Sequence, residues 1–178
     1  RMQWGLIDVT GAGSDIWGTA DSFHYANKSL DGDGIIIAGL QNAENINVWS
    51  KAGVMIRESL NTDSPFAMKV NTPANGSSFQ YRQTAGNSCS HSTTGLVTAP
   101  TWVKLVRSGD NFTAYFSDDG EKMERLRMGE IIWVDLILFK CGIASSVMAR
   151  LIEEVLKTPG LIATRKILRV NGGTDVPV

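Results

Sequence analysis

The chain has 178 residues, about the length of one typical domain, with 43% hydrophobic and 20% charged side chains. Its 17 basic and 18 acidic residues give a formal charge of -1, leaving no cationic surplus to neutralise a nucleic-acid backbone. No apolar run is long enough to span a bilayer, and the composition is too apolar for a disordered chain. The first clear pattern is GIIIAGL at 34–40, a short apolar run preceded by the turn-forming DGDG at 31–34. KAGVMIRESL at 51–60 alternates, with Val54, Ile56 and Glu58 on one face and Met55 and Arg57 on the other. PFAMKV at 65–70 and SFQYRQ at 78–83 follow, separated by the turn NTPANG. In the second of these, Phe79 and Tyr81 share one face while Gln80 and Arg82 share the other.

The polar segment AGNSCSHSTTG at 85–95 reads as an exposed loop, and SGDN at 108–111 joins the strands around Val103 and Tyr115 as a hairpin. IIWVDLILF at 131–139 reads as a further strand. After it, ASSVMARLIEEVLKTPG carries apolar residues at 148, 151, 152, 155 and 156, the stripe of an amphipathic helix over about 144–157. Ser145 or Ser146 would cap it and Pro159-Gly160 would stop it. A closing strand is expected over 162–170. Short strands at intervals of roughly ten residues, with no repeat or linker, predict an all-β, two-sheet sandwich with one C-terminal helix. It would form a single domain over 1–178.

Several stretches carry a family resemblance: GAGSDIWGTADSFHY at 11–25, LDGDGIIIAGL at 30–40, WSKAGVMIRESL at 49–60, SPFAMKVNTPANGSSFQYRQTAG at 64–86 and WVKLVRSGDNFTAYFSDDG at 102–120. Together they resemble the concanavalin A-like β-sandwich modules grouped as DUF1349 or regulation of enolase protein 1-like domains. Such modules are appended to secreted bacterial glycoside hydrolases and surface proteins. The resemblance implies a concanavalin-like (jelly-roll) sandwich, an extracellular or cell-surface location, and a carbohydrate-associated accessory role beside adjacent domains. None of its strings describes a catalytic site.

The residues themselves argue in the same direction. A glycosidase needs two carboxyl groups flanking the scissile bond, and no strand here carries two on one face. No G-x-S-x-G elbow is present, and His24 and His91 are the only histidines. Sugar recognition asks less: flat aromatic rings against pyranose faces, with amides, carboxylates and guanidinium groups at the hydroxyls. Trp17, Trp49, Tyr81 and Tyr115 are the aromatic candidates, and Asp15, Arg57, Gln80 and Arg82 the polar ones. Arg57, Gln80 and Arg82 are expected to line one exposed sheet face, although Arg57 also suits a salt bridge with Glu58 or an acidic loop residue.

Asp31 and Asp33 are weak calcium candidates, because the EF-hand spacing is not completed and the same residues suit a tight turn. No other cofactor is expected. Cys89 and Cys141 allow at most one disulfide, with two free thiols the simpler reading. The sequence therefore predicts a non-catalytic module for extracellular polysaccharide or oligosaccharide. The alternatives are a structural or protein-interaction domain using the helix as its contact surface, and a glycan-active hydrolase.

Overall fold

Strict alternation of burial marks one half of the molecule. In TWVKLVRS at 101–108, Val103, Leu105 and Arg107 are buried, while Trp102, Lys104 and Val106 are half-buried on the other face. That period of two is what a sheet with one covered face requires. A computed structural model describes residues 6–9, 13–43, 45–95, 97–118, 124–126, 139–145, 149–156 and 174–175. Their strands, in chain order, are β1 (Leu6–Val9), β2 (Asp15–Trp17), β3 (Ala20–Ser22), β4 (His24–Leu30), β5 (Gly34–Ala43), β6 (Ala52–Arg57), β7 (Phe66–Thr72) and β8 (Gly76–Arg82). They continue with β9 (Ser90–Thr94), β10 (Thr101–Ser108), β11 (Asn111–Ser117), β12 (Glu124–Leu126), β13 (Phe139–Ser145), β14 (Ala149–Leu156) and β15 (Thr174–Asp175).

Two antiparallel sheets result. One runs β1-β14-β5-β10-β11-β12 and the other β15-β4-β13-β6-β7-β8-β9, while β2 and β3 form a separate hairpin. The sheets face each other across a core of Ile36, Ala38 and Leu40 from β5, Val103 and Leu105 from β10, and Phe112, Ala114 and Phe116 from β11. Opposite them lie Ala52, Val54, Ile56, Ala67 and Phe79.

The seven-stranded sheet is covered on its other face as well. Met55, Phe66, Met68 and Val70 form a second cluster with Ile16, Phe23 and Tyr25, part of it supplied by the β2–β3 hairpin. This second cover explains why β6 and β7 are buried at every position instead of at alternate ones. Gly53 fits between these strands only because it has no side chain: a Cβ there would lie 2.1 Å from the Lys69 carbonyl oxygen.

The helix expected over 144–157 is not formed by its described residues. Ala149–Leu156 is a strand, paired with β1 on one side and β5 on the other. Its apolar residues at 151, 152, 155 and 156 satisfy a helical stripe, but β5 needs a partner for its backbone groups on that side, and the ladder overrides the local pattern. Residues 146–148 and 157 lie outside the described residues. So do most of the strand expected over 131–139 and all of the one over 162–170. Among the described residues no helix is long and apolar enough to cross a membrane.

Candidate functional site

Three charged side chains fasten the β2–β3 hairpin to the outer face of the seven-stranded sheet. Asp21, Arg57 and Arg82 are all fully buried there. Arg82 holds the Asp21 carboxylate with two nitrogens, at 2.6 and 2.8 Å, and Arg57 Nη1 donates to the same carboxylate at 3.2 Å. The guanidinium groups also donate to backbone carbonyls: Arg57 to Ser59 and Asn61, and Arg82 to Gly18, Thr62, Ser64 and Asn87. Burial disfavours both charges. It lowers the Arg57 pKa, whereas at Arg82 the shorter paired bonds and charge of Asp21 outweigh it and raise the pKa. Phe66 lies against both guanidinium groups, with ring-centroid distances of 5.9 and 5.1 Å.

The hairpin so held carries one wall of a pocket of about 400 Å³, lined by Asp15, Trp17, Asn47, Trp49, Lys51, Gln80 and His91. Gly18 takes a positive φ of 66° at the hairpin turn and leaves Trp17 at the rim, 37% exposed. The opposite wall is a tight turn. Asn47 accepts from the Trp49 backbone N–H at 2.8 Å, Ser50 Oγ accepts from the Asn47 N–H at 3.0 Å, and Asn75 props the Val48 carbonyl at 2.8 Å. That turn holds Trp49 at 42% exposure. Between the walls, Lys51 Nζ bonds Asp15 Oδ1 at 2.5 Å and the Ile16 carbonyl at 3.0 Å, 5.5 Å from the Trp17 ring centroid. His91 meets the Trp17 ring edge-on at 5.4 Å.

Of the sequence candidates, Asp15, Trp17, Trp49 and Gln80 meet in this pocket. Arg57 and Arg82 share its side of the sheet but are buried in the ion cluster, because the hairpin covers the face that alternation leaves open. The Arg57 partner is Asp21, not Glu58. Tyr81 points the other way and packs against the core between the sheets. Tyr115 is on the outer face of the six-stranded sheet, with Lys104 Nζ 4.9 Å from its ring.

Asp31 and Asp33 are exposed at the β4–β5 turn, where Asp33 accepts from the Gly109 N–H at 2.6 Å and clips that turn to the β10–β11 hairpin. Among the described residues no group of three or more His, Cys, Asp or Glu side chains is arranged to hold a metal ion. Cys89 is a free thiol, pushed up to about 11 by burial despite the opposing charge of Arg82. Asn47, Lys51 and His91 were not sequence candidates. The Asx turn at Asn47-Val48-Trp49 was a readable signal for the first, but nothing local marks the other two.

No protein-family model and no curated protein matches the chain. Solved structures do. The chain is similar to a protein of unknown function from Saccharomyces cerevisiae over 92% of its own length and 98% of that chain, at 12% identity and a TM-score of 0.60. It is also similar to a mutant of the GH43 protein BlXynB from Bacillus licheniformis, at 11% identity and a TM-score of 0.51. That match takes in 85% of this chain and 33% of the other, so the chain spans about a third of that protein. The likeness shows the fold. Over the described residues the chain is an all-β sandwich of two antiparallel sheets.

Proposed function

We propose that the chain is a non-catalytic accessory module that binds extracellular polysaccharide through the pocket between Trp17 and Trp49. One observation carries this reading: two large indoles stay 37% and 42% exposed at the rim of a polar-lined concavity, where burying them would have stabilised the fold. Carboxylate, ammonium, amide and imidazole groups between them supply the hydrogen-bonding partners that sugar hydroxyls need. The GH43 likeness is compatible with a carbohydrate-associated role at the level of fold.

The alternatives are less well supported. Glycoside hydrolysis requires two carboxyl groups about 5 to 10 Å apart. Asp15 is the one carboxylate among the described lining residues, and Lys51 engages it. The protein-interaction reading relied on a helical surface at 144–157, where residues 149–156 are a strand between two others.

Titration calorimetry against xylan, β-glucan, mannan and chitin oligomers, with and without calcium, tests the proposal. Saturable heat is expected for at least one glycan. Trp17→Ala and Trp49→Ala are each expected to weaken it about tenfold or more, the loss of one ring's stacking area. Their melting temperatures should change little, because both rings are half outside the fold. Silence across the panel, or unchanged affinity in both variants, would remove the pocket from consideration.

A further inference from the structure

We infer that the pocket selects an uncharged sugar, with one of its hydroxyl groups bonded to the side-chain amide of Gln80; this rests on the carbohydrate-binding reading above. Gln80 lines the pocket yet is only 1% exposed. Its Nε2 donates to Ser78 Oγ at 3.2 Å, and Ser78 Oγ also accepts from Thr93 Oγ1 at 3.1 Å. The two contacts anchor one end of the amide. The other end, Oε1, is buried and has no hydrogen-bond partner among the described residues. Buried polar atoms are nearly always paired in native proteins, so an unpaired one fixed at a ligand pocket marks where a ligand group belongs.

The chemistry of that group follows from the amide and its neighbours. An acceptor calls for a donor, which a sugar hydroxyl supplies. A hydroxyl both donates and accepts, so it pairs with the amide whichever of its two ends faces the pocket.

Charge points the same way. Lys51 Nζ is held by the Asp15 carboxylate, the Ile16 carbonyl and the Trp17 ring, so a uronate would have to draw the ammonium away from an existing ion pair. The formal charges of Asp15 and Lys51 cancel within the lining. A volume of about 400 Å³ suits a short stretch of glycan, near the lower end of ligand pockets at roughly 300 to 1,000 Å³.

An array of neutral xylo-, gluco-, manno- and chito-oligosaccharides beside oligogalacturonates tests the inference on the intact chain. Binding is expected on neutral spots only. For the best of these, single-position deoxy analogues are then titrated against the native protein and Gln80→Met. One analogue should bind the native protein about tenfold more weakly than its parent, while Gln80→Met should bind parent and analogue alike. Native protein that binds every deoxy analogue as well as the parent, or that prefers oligogalacturonate, overturns the inference but leaves carbohydrate binding standing. An array with no bound glycan of either kind overturns both. The analogue series on native protein decides the matter even where Gln80→Met does not fold.

Discussion

Replacing Lys69 with methionine is expected to stabilise the protein by several kcal/mol at neutral pH. Lys69 lies on β7 between Val54 and Phe79 in the strand register, on the face turned toward the opposite sheet. It is fully buried; its Nζ bonds Ser77 Oγ and sits 5.6 Å from the Phe116 ring centroid. No carboxylate answers it among the described residues, and burial alone lowers its pKa from 10.5 to about 6. The folded protein therefore holds this amine neutral at pH 7, while the unfolded chain holds it charged.

Between those two pKa values the unfolded state binds the extra proton, so stability climbs with pH by about 1.4 kcal/mol per unit. Below pH 6 both states are protonated, and the penalty is largest and constant. At pH 7 it is of order 5 kcal/mol, against about 1 kcal/mol for the Ser77 hydrogen bond that methionine forfeits. Methionine keeps the unbranched shape and adapts to the site. Urea unfolding at pH 6, 7, 8 and 9 measures the effect: the advantage of Lys69→Met should be greatest at pH 6 and shrink steadily toward pH 9. A gap that stays flat across this range would mean the amine is charged in the fold.

Asp21→Asn is expected to act as strongly in the opposite direction. Asparagine keeps the shape but removes the one negative charge that, among the described residues, pairs with Arg57 and Arg82, leaving two guanidinium groups buried side by side. Breaking a buried ion pair from one side costs about 3–5 kcal/mol, a large share of the roughly 5–15 kcal/mol that stabilises a typical domain. The damage should spread beyond stability. Asp21 sits on β3, and its hairpin partner β2 carries Asp15 and Trp17. Loosening that hairpin should abolish Trp17-dependent glycan binding at temperatures where the sandwich is still folded. Urea unfolding and calorimetry on the same preparation check both effects. A loss below about 1 kcal/mol would mean that water reaches the cluster and screens it.

The sandwich was legible wherever one face of a strand is wet. In β10 and β11 the alternation of Val103, Leu105, Phe112, Ala114 and Phe116 with half-buried neighbours reads directly from the sequence. It was misleading where both faces are covered. Alternation places Arg57, Gln80 and Arg82 on a face away from the core but says nothing about a hairpin lying over them. Their partner Asp21 is 36 residues from Arg57 and 61 from Arg82, a pairing that only the fold can make. Lys69 falls on the core side by its position, against every expectation for a charged residue. At 149–156 the apolar spacing fits a helix, and only the neighbouring strands β1 and β5 decide otherwise. Tyr81 and Tyr115 are candidates by the chemistry of their rings. Chemistry alone could not tell that they stand on faces away from Trp17 and Trp49.

The pocket walls at Asp15, Trp17, Asn47 and Trp49 belong to a hairpin and a turn that add no strand to either large sheet. Changes of residue type there can alter shape and hydrogen-bonding pattern without disturbing the packing between the sheets. Asp21 and Ile16, which hold the hairpin down, face away from the rim and can stay constant while the rim varies. The architecture thus separates the positions that hold the fold from those that shape the pocket rim. A library randomised at 17 and 49, with Asp15 kept for its ion pair with the buried Lys51 and Asn47 for its turn, should return many folded variants with altered pocket shape.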